Sequence, residues 1–172
     1  TQGVSSAASD VYKRQVLPFR GKQHAAAEAD TDPYRSLFSL PPIDPATPLL
    51  ALTPAEKFCK AALKGLRKDK YWNQYKIDQV DERFHAHPQQ LPQSLDDCLA
   101  EIEYWDHLNR LRSSLGAAVA ESLPVQARRH FLRRCLSVIQ PVNGAEIAAV
   151  IRYLVEKGLL DPEAEGIVLN LV

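Results

Sequence analysis

The sequence predicts an all-α protein, an antiparallel bundle of about four helices preceded by an irregular, proline-rich N-terminal arm. Three observations carry that expectation. After position 52 apolar residues recur every three or four positions, which gathers them on one side of a 3.6-residue helix. Four such stretches each begin or end at a residue type that starts or stops helices. Before them, Pro18, Pro33, Pro41, Pro42, Pro45 and Pro48 crowd residues 16–52. Each proline removes a backbone donor and biases its predecessor away from the helical region, so no long regular element fits there.

The arm still carries apolar side chains. In "YRSLFSLPPI", Tyr34, Leu37, Phe38, Leu40 and Ile43 offer enough apolar surface to dock in a groove of the chain's own domain or of a partner. "TPAE" then announces the first helix: Thr53 caps, Pro54 suits the first helical position, and Glu56 stands where a carboxylate reaches back to the cap. Phe58, Cys59, Ala62, Leu63 and Leu66 share its apolar side, with Lys57, Lys60, Lys64, Arg67 and Lys68 opposite. It is expected to run to about Tyr75, with Tyr71, Trp72 and Tyr75 near its end.

"DERFHAHPQQLPQ", residues 81–93, reads as a break, because Pro88 and Pro92 flank glutamines and no period persists. Ser94, with Asp96 and Asp97 in the first turn, starts the second helix. Its two apolar stripes are Leu95, Cys98, Ile102 and Trp105, then Tyr104, Leu108, Leu111, Leu115 and Val119. A face that wide predicts neighbours on more than one side and hence a central helix. Pro124 opens the third helix, whose apolar arc of Val125, Phe131, Leu132, Cys135, Leu136, Val138 and Ile139 leaves Arg129, His130, Arg133 and Arg134 on the other side. Asn143 caps the fourth, with Glu146 three residues on; Ile147, Val150, Ile151, Leu154 and Val155 form its stripe, and Gly158 stops it. The tail from Gly166 to Val172 suits either a short strand or a last apolar turn.

Residues 1–15 lack either apolar period, and Ser5 to Gln15 ("SSAASDVYKRQ") resembles the conceptual translation of a sequencing adapter. The first fifteen residues are therefore expected to be an artefact, residues 16–52 an arm, and residues 53–172 the helical domain, with the authentic chain continuing upstream of Val16.

Composition bounds the functional classes. Lys+Arg 21 against Asp+Glu 21 argues against a protein that coats nucleic acid through its overall field, so partners must be sought in patches. Three cysteines, Cys59, Cys98 and Cys135, are odd in number and lie on apolar helix sides, which suits reduced thiols packed as small apolar groups. No apolar run approaches a membrane span, and a cytoplasmic location is the expectation. No glycine-framed serine and no glycine-rich phosphate loop occurs, the carboxylates Asp96, Asp97, Glu101, Glu103 and Asp106 read as caps and solvated groups, and no enzyme activity or cofactor is expected. "HAH" at His85 to His87 is the one close histidine pair, and two imidazoles without a second ligand motif make a weak metal signal.

The basic faces are the stronger lead. Lys57, Lys60, Lys64, Arg67 and Lys68 form one stripe, with Trp72 beside it to stack; Arg129, Arg133 and Arg134 form another, and side-by-side packing of the two helices would merge them. The expected function is a non-enzymatic protein-interaction or assembly module, with nucleic-acid binding as the alternative. Favouring that alternative, "LRRCLSVIQPVNGAEIAAVIRYLVEKGLLDPEAEGIVLNLV" resembles the second half of a winged-helix DNA-binding module: helix, short turn, helix, Gly-Leu-Leu, candidate strand. It departs from that pattern in a reading helix with Arg152 and Lys157 as its only cations, and in having no second wing strand.

Overall fold

The structure, a computed structural model, describes residues 32–39, 51–70, 73–114, 120–159 and 162–171. The described residues are mostly helical and hold no strand: α1 (Pro33–Leu37), α2 (Pro54–Ala62), α3 (Ile77–His85), a 3-10 turn (Pro88–Gln90), α4 (Leu95–Ser114), α5 (Leu123–Leu136), α6 (Gly144–Glu156) and α7 (Pro162–Asn170). The all-α class stands, and the described residues hold seven α-helices where about four were expected. Residues 1–15, with their adapter-like sequence, and most of the arm lie outside the described residues, as do Leu115 and Val119. No described helix is long and apolar enough to cross a membrane.

The sequence signals at helix starts appear as hydrogen bonds. Thr53 Oγ1 accepts from the Glu56 amide while Glu56 Oε2 accepts from the Thr53 amide, closing a reciprocal cap on α2. Ser94 Oγ accepts from the Asp97 amide at the start of α4. Asn143 Oδ1 accepts from Ala145 and Glu146, and Glu146 reaches back to the Val142 amide. At the far end of α6, Gly158 takes φ +63°, the left-handed turn that ends helices.

Three expectations are corrected. The first helix does not reach Tyr75; it ends at Ala62 in a turn through Gly65 at φ +83°. The chain then reverses, with Lys68 and Tyr75 facing each other in an antiparallel bridge and Asp69 donating its amide to Gln74 O. The supposed break at residues 81–93 begins inside α3, which runs from Ile77 to His85. Only Val80 and Phe84 of that helix are buried, one turn apart, and two positions make too short a period to read. Of the two readings of the tail, the strand is the one that falls: α7 carries it, with Ala164, Ile167 and Leu171 buried at spacings of three and four. The winged-helix resemblance thereby loses its strand. Asn170 Nδ2 donates to Leu136 O and Ile139 O, satisfying carbonyls left free at the end of α5.

Within the arm, α1, capped by Asp32, docks on the chain's own domain: Tyr34 is buried, and Phe38 at its end packs on Tyr104 and Trp105. The breadth of α4's apolar face is explained by neighbours on several sides, since it meets α5 and α6 along its length and bonds to α1 and α2 through side chains. Helix α5 shares the centre, touching α2, α3, α4 and α7. One apolar cluster spans α2 and α4 to α7; a second, Ala62, Leu63, Val80, Phe84 and Phe131, joins α2 and α3 to α5.

Glu56 ties the α2 start to α4. Its two oxygens accept from Arg112 at 2.7 and 2.9 Å, and Tyr104 donates to Thr53 beside it at 2.9 Å. Burial alone would raise the Glu56 pKa, but the Arg112 and Thr53 hydrogen bonds outweigh it and hold the carboxyl below its ordinary 4.5. Asp106 is held below its ordinary 3.8 in the same way, with Lys157 and Arg129 outweighing burial. A carboxylate whose folded pKa is depressed contributes stability above the unfolded pKa and loses it as pH falls through the folded one. The melting temperature should therefore fall as pH drops below the range of 3.8 to 4.5. In Glu56→Gln that fall should be shallower, and an unchanged slope in thermal melts at stepped pH would show that Glu56 does not drive it.

Candidate functional site

The α2 stripe is built by helical spacing. With Cys59 and Ala62 turned into the core, Lys57, Lys60 and Lys64 must face water, and all three are exposed. The reversal after Gly65 extends the same charge, because Arg67, Lys68, Lys70 and Lys76 are exposed along it. Residues 57–76 thus present seven cations against one aspartate, Asp69. None of the seven forms an ion pair among the described residues. Trp72 and Tyr71, expected to stack beside this stripe, lie outside the described residues; Tyr75 is half-buried.

The α5 stripe is built differently. Arg129 donates to Asp106 at 2.5 Å and to Glu121 at 3.2 Å, and Arg134 is paired bidentately with Asp81 of α3. Arg133 is half-buried and lines a cleft of about 600 Å³ between α3, α5, α6 and α7, with His130 at its side and Val80, Leu154 and Ile167 behind. α2 and α5 pack side by side, and Arg129 and Arg134 of the α5 stripe are already engaged by carboxylates. The arginines of α5 serve mainly to hold α3 and α4.

Sequence reasoning missed a fully buried, hydrogen-bonded ion pair. Glu101 of α4 and Arg128 of α5 are both fully buried and paired, Nη2 to Oε2 at 2.7 Å and Nε to Oε1 at 2.8 Å. Glu101, read from the sequence as a solvated carboxylate, also accepts from Tyr34 Oη at 2.8 Å and Trp105 Nε1 at 3.0 Å. Each carboxylate oxygen therefore has two donors, which offsets the cost of taking the charge out of water. Arg128 Nη2 donates in addition to Gln90 O of the 3-10 turn. Nη1 has no hydrogen-bond partner among the described residues. It belongs to a guanidinium with rings close on several sides: Phe84 at 4.9 Å, Phe131 at 5.2 Å, Phe38 at 5.5 Å and Phe58 at 5.7 Å from its centre. Ring faces supply electrostatic attraction where no acceptor stands. Burial alone would lower the Arg128 pKa, but Glu101 outweighs it and keeps the guanidinium charged.

A signal for this pair was present. Arg128 is three residues after Val125 and four before Leu132, and Glu101 three after Cys98 and four before Trp105, so each lone charge occupies a core position of its helix. One opposite charge in each of two apolar stripes is what a buried pair requires.

The histidines are placed apart in function. His85 Nδ1 lies 2.7 Å from Asp81 O and its ring meets Phe131 edge-on, while His87 meets Phe58. Among the described residues no group of three or more His, Cys, Asp and Glu is arranged to share a metal ion. Compared with family models, curated proteins and solved structures, the chain matches none.

Proposed function

We propose that this chain is a non-enzymatic interaction module that docks an acidic protein surface on the lysine face of α2 and the reversal after it. The observation that carries this reading is the segregation of charge. Seven exposed cations in residues 57–76 have no carboxylate partner among the described residues, in a chain whose charges balance overall. By contrast Arg112, Arg128, Arg129 and Arg134 all do have carboxylate partners. Exposed lysines do little for stability, so their clustering costs the fold almost nothing. Their summed field attracts an oppositely charged surface and orients it on approach.

The test is a salt titration with labelled poly-glutamate and with oligonucleotides of matched charge. Poly-glutamate should bind at low salt and be released steeply as salt rises. Lys57→Glu, Lys60→Glu and Lys64→Glu combined should weaken that binding roughly tenfold or more, about 1.4 kcal/mol, with the melting temperature unchanged. Absence of binding at low salt, or equal binding by the triple variant, overturns the reading. Tighter binding of the oligonucleotide than of poly-glutamate transfers the surface to nucleic acid, with the salt slope counting phosphates contacted.

A further inference from the structure

The cleft between α3, α5, α6 and α7 has two unlike walls. One is a polar stripe of α5: Gln126, His130, Arg133 and Ser137 recur at spacings of four, three and four, which brings all four to the same side of the helix, and all four line the cleft. The other wall is apolar, with Val80 of α3, Leu154 of α6 and Ile167 of α7 at its floor. At the rim Ile77, 59% exposed, leaves apolar surface open to water. The volume, about 600 Å³, falls in the range of sites that hold small organic molecules, about 300–1,000 Å³. The described residues that line it include no carboxylate, and of its two arginines Arg134 is engaged by Asp81. We propose that this cleft binds an amphipathic organic monocarboxylate, such as a medium-chain fatty acid, with the carboxylate on Arg133 and His130 and the apolar body toward Val80, Leu154 and Ile167. The site is separate from the lysine face, since none of the seven exposed cations of residues 57–76 lines it.

A second, smaller hollow of about 400 Å³ sets the orientation. It shares Gln126, His130, Arg133 and Leu159 with the cleft, so the two meet at Arg133. Beyond that junction it is lined by Asp106, Glu121, Arg129 and Lys157, which already pair with one another. A second anionic group placed there would compete with Asp106 and Glu121 for the same cations, which favours a head of single charge. A guanidinium takes both oxygens of one carboxylate in its planar fork, and an imidazole N–H adds a further donor. The apolar body leaves water only by entering the cleft, where it covers Ile77 and meets the floor.

Decanoate is titrated calorimetrically into the full chain, below the concentration at which it forms micelles, beside decylammonium and acetate. Decanoate should bind at one equivalent and raise the melting temperature. Decylammonium, whose head charge is reversed, and acetate, which lacks the apolar body, should each bind roughly tenfold more weakly or worse. Arg133→Gln should weaken decanoate binding roughly tenfold, the loss of one charge-assisted contact, and Ile77→Ser should weaken it by a smaller factor. Lys57→Glu, Lys60→Glu and Lys64→Glu combined should bind decanoate as the unaltered chain does. A photoreactive diazirine analogue of decanoate, cross-linked to the unaltered chain and mapped to peptides, decides the matter even if Arg133→Gln fails to fold: the label should fall on α5 together with α3, α6 or α7. Absence of binding, equal binding of decylammonium or acetate, full binding by a folded Arg133→Gln, loss of binding in the lysine variant, or a label confined to other elements each overturns the proposal.

Discussion

Arg128→Met is expected to destabilise the fold by about 3–5 kcal/mol, the cost of removing one partner of a buried ion pair and leaving the other uncompensated. For a domain whose total stability is of order 5–15 kcal/mol, that leaves little. Methionine fills much of the arginine's volume, so the loss measures charge more than cavity. Glu101 would keep its bonds from Tyr34 and Trp105, but both bonds from Arg128 would be gone. The carbonyl of Gln90 would lose its donor too. Glu101→Leu alone should cost a similar amount, since it strands the guanidinium among four phenylalanine rings. The double variant, Glu101→Leu with Arg128→Met, is expected to be more stable than either single one, because apolar pairs of similar volume replace buried ions with little or no loss. Urea midpoints at unchanged slope provide the comparison. A double variant no better than the worse single one would show that the two charges do not depend on each other.

Phe84→Ala should cost about 3–5 kcal/mol, the range for truncating a large buried aromatic residue. Its ring is fully buried, meets Phe58 and Phe131, and is the nearest of the four to the Arg128 guanidinium at 4.9 Å. Part of the cost is packing and part is the ring's attraction for the cation. Phe84→Leu separates them: it retains most of the volume and should lose only about 1–2 kcal/mol, the sum of an imperfect fit and one desolvated cation–π contact. Making the same change in the Arg128→Met background should cost less still. Equal losses in both backgrounds would mean the ring serves packing alone.

These effects centre on residues that pattern reading treats as exceptions. Helix starts were legible because a cap is a local event: Thr53 with Glu56, Ser94, and Asn143 with Glu146 bond within their own first turns. The direction of the α2 lysines was legible too, since Cys59 and Ala62 fix which side faces inward. Helix α3 was not, because Val80 and Phe84 alone carry it and its burial comes from α5, far along the chain. The end of α2 was missed because Lys64, Leu66, Arg67 and Lys68 continue a helical pattern past Ala62, where the chain instead turns through Gly65. The pairing of the α5 arginines was hidden for a related reason. A helical wheel shows that Arg129 and Arg134 point away from the apolar arc, but not that Asp106 and Asp81 wait there.

Tyr34 and Arg128 meet the same carboxylate from very different distances along the chain, 67 and 27 residues from Glu101. Closing the longer loop costs roughly 0.8 kcal/mol more in chain entropy. By loop closure alone the α4–α5 contact is therefore the cheaper of the two, and the bond from α1 to the same buried carboxylate carries the larger entropic cost.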